Sequence, residues 1–159
     1  MPGADGGSDV SPPLHIVDVF ARERYAGNQL AVVTDAGALT DDESQAVAAE
    51  MDYSETTFVT GPPEAGARPV RIFTPTAEIP FAGHPTLGTA AVIRDHLADG
   101  RPDAVTLDLD VGEIPVTVDA TGGEETLWMS QRAPEFGDRL GHAALADVLG
   151  LPESALDDD

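Results

Sequence analysis

Residues 85–99, PTLGTAAVIRDHLAD, read as a helix whose middle is small and apolar on nearly every side. A helix with so little polar surface must be walled in on most sides, and the composition points to a curved sheet as the wall. Its ends are marked. Pro85 suits the first helical position, where its missing N–H costs nothing, and Gly100 suits the left-handed position beyond a helix end. The chain therefore has to supply enough strands to wrap one helix.

Those strands are legible. LHIVDVF (14–20) alternates as a strand, LAVVTD (30–35) is a second, and Gly27 and Asn28 mark the turn between them. TDDESQAVAAEMD (40–52) opens with a capping box, Thr40 to Glu43, and reads as a second long helix. SETTFVT (54–60) and RPVRIFTP (68–75) follow as strands, then an ordered loop TAEIPFAGH. AVTLDLD (104–110), GEIPVTVDA (112–120) and ETLWMSQ (125–131) complete the strand set, with Trp128 and Met129 assigned to the core, and a short helix covers 142–150. Strands grouped around two longer helices, without strict alternation, specify an α+β fold. The expected organisation is a flexible tail over 1–13, the domain over 14–140, and over 141–159 the start of a linker or second domain that is cut short.

Composition narrows the chemistry. With 159 residues and 42% hydrophobic content the chain can bury a core, while the absence of Cys removes disulfides, thiolate metal sites and thiol acid/base pairs. The four histidines are scattered without metal-ligand spacing, so no metal site is expected. No stretch approaches a membrane span and no leader precedes the domain, which makes a cytoplasmic location the expectation. The net charge of −21, with all eight basic residues Arg, repels nucleic acid and anionic membranes and suits a salty, halophilic cytoplasm.

The chemistry-bearing residues cluster in two segments. With His84 at the N-cap, the amides of Thr86, Leu87 and Gly88 would be unpaired donors at the positive end of the helix dipole, ready for a carboxylate or phosphate. Ala82, Gly83 and Gly88 would let a ligand approach the backbone, and His84 would add a hydrogen bond or a proton. The same spacing also fits a His that merely caps a helix. In MDYSETTFV, Glu55 opens a strand, where a carboxylate would ordinarily face solvent; in a dry pocket beside His84 it could move a proton. Glu78 is a second carboxylate, read as structural, and Asp18 and Asn28 line a pocket or fix turns. No dinucleotide fingerprint, phosphate loop or nucleophile elbow is present, and no cofactor is implied.

Taken in order, VDVFARERYAGNQLAVV, EMDYSETTFV, RIFTPTAEIPFAGHPTLGTAAVI and WMSQRAPEFG resemble the phenazine biosynthesis PhzF-like family over roughly residues 14–140. The resemblance implies a fold similar to diaminopimelate epimerase, two like domains with a cleft between them, of which this chain is the first half. It further implies a cofactor-free isomerase acting on a small carboxylic acid, with Glu55 shuttling the proton and His84 assisting and orienting the substrate. Gly83, Thr86, Leu87, Gly88 and Asn28, candidates from the helix end and the β1–β2 turn, are the expected substrate-binding residues. Gln29 departs from the family, which usually has Pro after Gly-Asn. Nothing matches the family's second-domain Asp and Gly-Ser loop, and DATGG at 119–123 lies in a turn inside the first-domain match. The partner half-site is therefore expected from a missing second domain or a homodimer. The rival expectation is a truncated, non-catalytic domain that binds a small acid or another protein.

Overall fold

The computed structural model describes residues 11–156; the first ten residues of the expected tail lie outside it. At the tail's end, the carbonyl of Pro13 accepts from the Thr34 N–H at 2.9 Å, so the chain is fixed there. Eight strands form one curled sheet. They are β1 (Leu14–Val19), β2 (Asn28–Val33), β3 (Thr56–Val59), β4 (Ala67–Phe73), β5 (Glu78–Ile79), β6 (Ala104–Leu109), β7 (Gly112–Asp119) and β8 (Thr126–Met129). The order across the sheet is β1-β2-β3-β4-β6-β7-β8, with the two-residue β5 paired to β4. β2 with β3 and β4 with β6 are parallel pairs, and the others are antiparallel. The expected loop TAEIPFAGH thus contributes a short strand of its own.

The sheet has two faces, and they separate cleanly by residue alternation. One packs on α1 (Asp41–Met51) through Val33, Phe58 and Phe73, against Ala48 and Ala36. The other surrounds α2 (Gly83–Val92) with Leu30, Val32, Val59, Val70, Ile72, Leu107, Ile114 and Val116. α2 meets β1, β2, β3, β6 and β8, so the sheet curls around it as the small-residue composition demands. Gly88 sets how closely it can lie: a Cβ there would come 2.6 Å from Leu30 Cδ2 and 2.8 Å from Val19 Cγ2.

Two boundaries of α2 differ from the sequence reading. Its N-cap is Ala82, in extended conformation, so Gly83 is the first helical residue and Pro85 the third. Proline is tolerated there because that N–H lies within the first turn, which has no intrahelical acceptor. After Val92 the helix widens into a π turn over Ile93–Leu97 rather than running as α-helix to Gly100. Arg94, buried at this turn, donates twice to Glu125 at 2.9 Å and once to the Pro102 carbonyl at 2.9 Å. Arg101 adds a bond to Glu125 at 3.0 Å, tying the far end of α2 to the β7–β8 turn.

Other expectations meet the packing in detail. α1 has its capping box: Thr40 Oγ1 accepts from Glu43 N–H and Glu43 accepts from Thr40 N–H at 2.8 Å. Trp128 is not core. Leu127 and Met129 point inward and pack beside α2, which turns Trp128 to the opposite face, 61% exposed. α3 (His142–Leu149) ends at Gly150 in left-handed conformation and packs chiefly on the turn Glu153–Ala155, leaving Phe136, Leu140, Val148 and Leu149 exposed.

Candidate active site

Strand direction decides what gathers at the N-terminus of α2. β3 begins at that end and β4 arrives there. Because β6 runs parallel to β4 and antiparallel to β7, the β6–β7 turn falls there as well, and β8 ends there. The β1–β2 loop, Glu55, the 78–82 segment and the coil after Met129 therefore share one end of the half-barrel.

At that end Glu55 and His84 meet. His84 Nε2 lies 3.5 Å from Glu55 Oε2, and the side chains are only 10% and 17% exposed. Alternation explains the meeting: Thr57, two residues beyond Glu55, faces α2 and shares a hydrogen bond with Thr89, so Glu55 faces α2 too. Among the described residues neither Glu55 Oε2 nor His84 Nε2 has a hydrogen-bond partner, although both atoms are fully covered. Buried polar atoms are normally paired, so two such atoms side by side mark this as the candidate site. Thr56 Oγ1 is similarly unpaired, but on the opposite face of β3.

The amide donors are not those expected. Thr86 N–H and Oγ1 both donate to the Ala82 carbonyl, at 3.3 and 2.8 Å, and Leu87 and Gly88 stand beyond the first turn. The N–H groups free of intrahelical acceptors are those of Gly83 and His84, because the helix starts two residues early. Gly88 faces β1 and β2 instead of a ligand, and with Leu87 it lines a separate groove beside Phe20, Arg22 and Leu127. Gly83 has room around it, since a Cβ there would meet only Met129 Cε at 3.8 Å.

The remaining candidates are placed apart. Asn28 begins β2 at the same end of the sheet but lines a polar cavity with Asp18, Tyr25, Asp52, Tyr53 and Ser54, not Glu55 or His84. Asp18 fixes the β1–β2 loop by accepting the Tyr25 N–H at 3.2 Å. Glu78 is structural, bound twice by Arg71 at 2.7 and 2.8 Å, while Arg71 also reaches Asp41. These carboxylates hold the Arg71 guanidinium well above its ordinary value. Two histidines that look scattered in sequence stack: His15 on β1 and His96 after α2 have ring centres 4.6 Å apart. Burial, then the neighbouring His96, holds the His15 imidazole below its ordinary value. Among the described residues no group of three or more His, Asp or Glu is placed to hold a metal ion, and no helix is long and apolar enough to cross a membrane.

Sequence reasoning missed the Arg94–Glu125 pair, whose members are 31 positions apart. It also missed Arg22 and Arg24, which have no carboxylate partner among the described residues although the chain carries 29 acidic groups. Both lie in the β1–β2 loop, where Arg22 lines the groove shared by Leu87, Gly88, Glu124 and Glu125.

Comparison with known proteins shows the family and the fold. The family described as phenazine biosynthesis-like protein matches residues 17–155, nearly the whole of the described chain. The chain belongs to the PhzF-like family. It is 37% identical over 140 residues to the trans-2,3-dihydro-3-hydroxyanthranilate isomerase of Pseudomonas aeruginosa, covering 87% of this chain and 49% of that protein. With an uncharacterized isomerase of Deinococcus radiodurans it shares 40% identity over 146 residues, covering 88% and 46%. A "Predicted Epimerase" structure from P. aeruginosa superposes with TM-score 0.80 at 33% identity, over 93% of this chain and 54% of the other. The Bacillus anthracis PhzF-family structure gives 0.72 at 31% identity, over 91% and 48%. A hydroxyproline epimerase from Agrobacterium vitis, 11% identical with TM-score 0.50, shares the fold. The PhzF-like chain described here thus spans about half the length of the relatives it matches.

Proposed function

We propose that this chain carries one half of a PhzF-like isomerase site, in which Glu55 relays a proton and the N-terminus of α2 holds the acid group of a small carboxylic acid. The observation that carries the reading is the pair of covered, unpartnered atoms, Glu55 Oε2 and His84 Nε2, at 3.5 Å. The Gly83 and His84 amides add two donors and the positive end of the helix dipole, which favours a carboxylate. Glu55, as carboxylate, takes a proton from one carbon of the substrate and returns it at another position; the electron pair stays in the substrate, so no redox partner is consumed. His84 orients the acid group and stabilises charge that develops beside it.

The substrate named for the P. aeruginosa relative is an anthranilate derivative, and so brings the carboxylate that this helix end suits. The facing half-site comes from a second unit, a further domain or another copy of the chain. Exposed apolar side chains at Phe136, Leu140, Val148 and Leu149 give such a unit a surface to cover. The test is deuterium exchange from solvent into trans-2,3-dihydro-3-hydroxyanthranilate by the protein as isolated from its own cells, beside its Glu55→Gln variant. The proposal expects a loss of about 10²–10⁴ in exchange rate for that variant; exchange surviving within about tenfold overturns the proton-relay role.

A further inference from the structure

We infer that the Thr57–Thr89 hydroxyl pair is a positioning device that sets the register of α2 on β3 and thereby holds His84 opposite Glu55. The inference rests on the site reading above. The two Oγ1 atoms lie 2.7 Å apart and both residues are completely buried. The surrounding core is aliphatic, with Leu30, Val32, Val59, Ile72 and Val92 as neighbours in the same cluster. Valine at both positions would have the same shape and no polar group to satisfy, so packing alone gives no reason for hydroxyls here.

Direction is what the hydroxyls add. The face that α2 presents to the sheet is built from small residues, Gly88, Thr89 and Ala90 among them, so the helix offers few knobs of its own, and the close seat of Leu30 and Val19 at Gly88 faces β1 and β2 rather than β3. A hydrogen bond is satisfied only at one register, and a slip of the helix along β3 would strand two buried hydroxyls. Among the described residues this is the one side-chain hydrogen bond between α2 itself and a strand, since Thr86 spends its hydroxyl on the helix's own Ala82 carbonyl and the Arg94–Glu125 bonds lie beyond the helix on a turn. Thr57 stands two residues beyond Glu55 on the same face of β3, and Thr89 stands five beyond His84 on α2. The pair therefore pins the strand carrying the carboxylate to the helix carrying the imidazole.

The experiment compares the native chain with Thr57→Val, Thr89→Val, the double Val variant, and Thr57→Ser and Thr89→Ser. Its readouts are the His84 ring signals in ¹⁵N NMR, acetate affinity and urea stability. If the pair sets the register, each Val variant shifts or broadens the His84 ring signals without acetate and weakens acetate binding by about tenfold or more, as displaced site groups do. The double variant is then no worse than either single one, because both lose one shared bond, and the Ser variants restore native behaviour. Unaltered His84 signals in the Val variants, or Ser variants that behave like Val at matched stability, overturn the inference. Failure of acetate to perturb His84 in the native chain would instead count against the site reading, and the acetate-free ring signals would still decide the register claim.

Discussion

Gly88→Ala is the substitution whose consequence the structure sets most sharply. By helix propensity alone the change is favourable, by about 1 kcal/mol. The new Cβ, however, would lie 2.6 Å from Leu30 Cδ2, 2.8 Å from Val19 Cγ2 and 3.3 Å from Val17 Cγ2. Leu30 is wholly buried and Val19 nearly so, and both valines are stiff at χ1, so relief comes from moving α2 away from β1 and β2. Overpacking of this kind costs about 1–3 kcal/mol, and close approach to two strands at once places the site in the upper part of that range. The net expectation is destabilisation by about 1–2 kcal/mol, equivalent to a melting temperature lower by about 2–8 °C. Thermal unfolding followed by circular dichroism measures it, with Gly83→Ala as control, where a Cβ meets nothing closer than Met129 Cε at 3.8 Å. A Gly88→Ala protein as stable as the native one, or more so, would refute the claim that close packing of α2 on the sheet requires glycine there.

Thr40→Ala removes the capping box on α1 and is expected to cost about 1 kcal/mol in urea unfolding, leaving acetate binding intact. Acid sensitivity should trace in part to Glu125, whose carboxyl is held down to about 2 by its hydrogen bonds from Arg94, with Arg101 adding to the effect. Because the folded-state value lies below the unfolded one, that contribution is present above about pH 4.5 and is lost as pH falls toward 2. Melts at pH 5 and pH 2.5 should therefore show a smaller loss for Glu125→Gln than for the native chain. Glu78→Gln should weaken the Arg71 clamp between β4 and β5 and lower stability, but leave the acetate response of His84 unchanged.

Local chemistry was what the sequence made readable. Thr40 and Glu43 announced the start of α1 because a capping box is complete within four residues, and the buried helix was legible because Gly88, Thr89 and Ala90 offer no polar face. The start of that helix was misplaced by two residues for an equally physical reason: Pro fits anywhere in the first turn, so Pro85 fixes the end only to within that turn. With it went the identity of the free amides, Gly83 and His84 rather than Thr86 to Gly88. Trp128 and Met129 cannot both face the core, since neighbours on a strand point to opposite sides, and the inward face belongs to Leu127 and Met129. Contacts made by the sheet's curl, Arg94 with Glu125 and His15 with His96, carry no local signal and emerge only when distant strands close around α2. That Glu55 and His84 share a site is readable only as a condition on a dry pocket and through the family resemblance; the parallel register of β3 on β2 and the crossover into α2 bring them within 3.5 Å.

The central claim, that the N-terminus of α2 beside Glu55 receives a carboxylate, is tested most directly by titrating acetate into ¹⁵N-labelled protein. The account predicts that the amide signals of Gly83 and His84 and the ring signals of His84 move together along one binding curve, and that His84→Ala abolishes the response of Gly83. Acetate signals that change elsewhere on the chain while Gly83 and His84 stay fixed would contradict it.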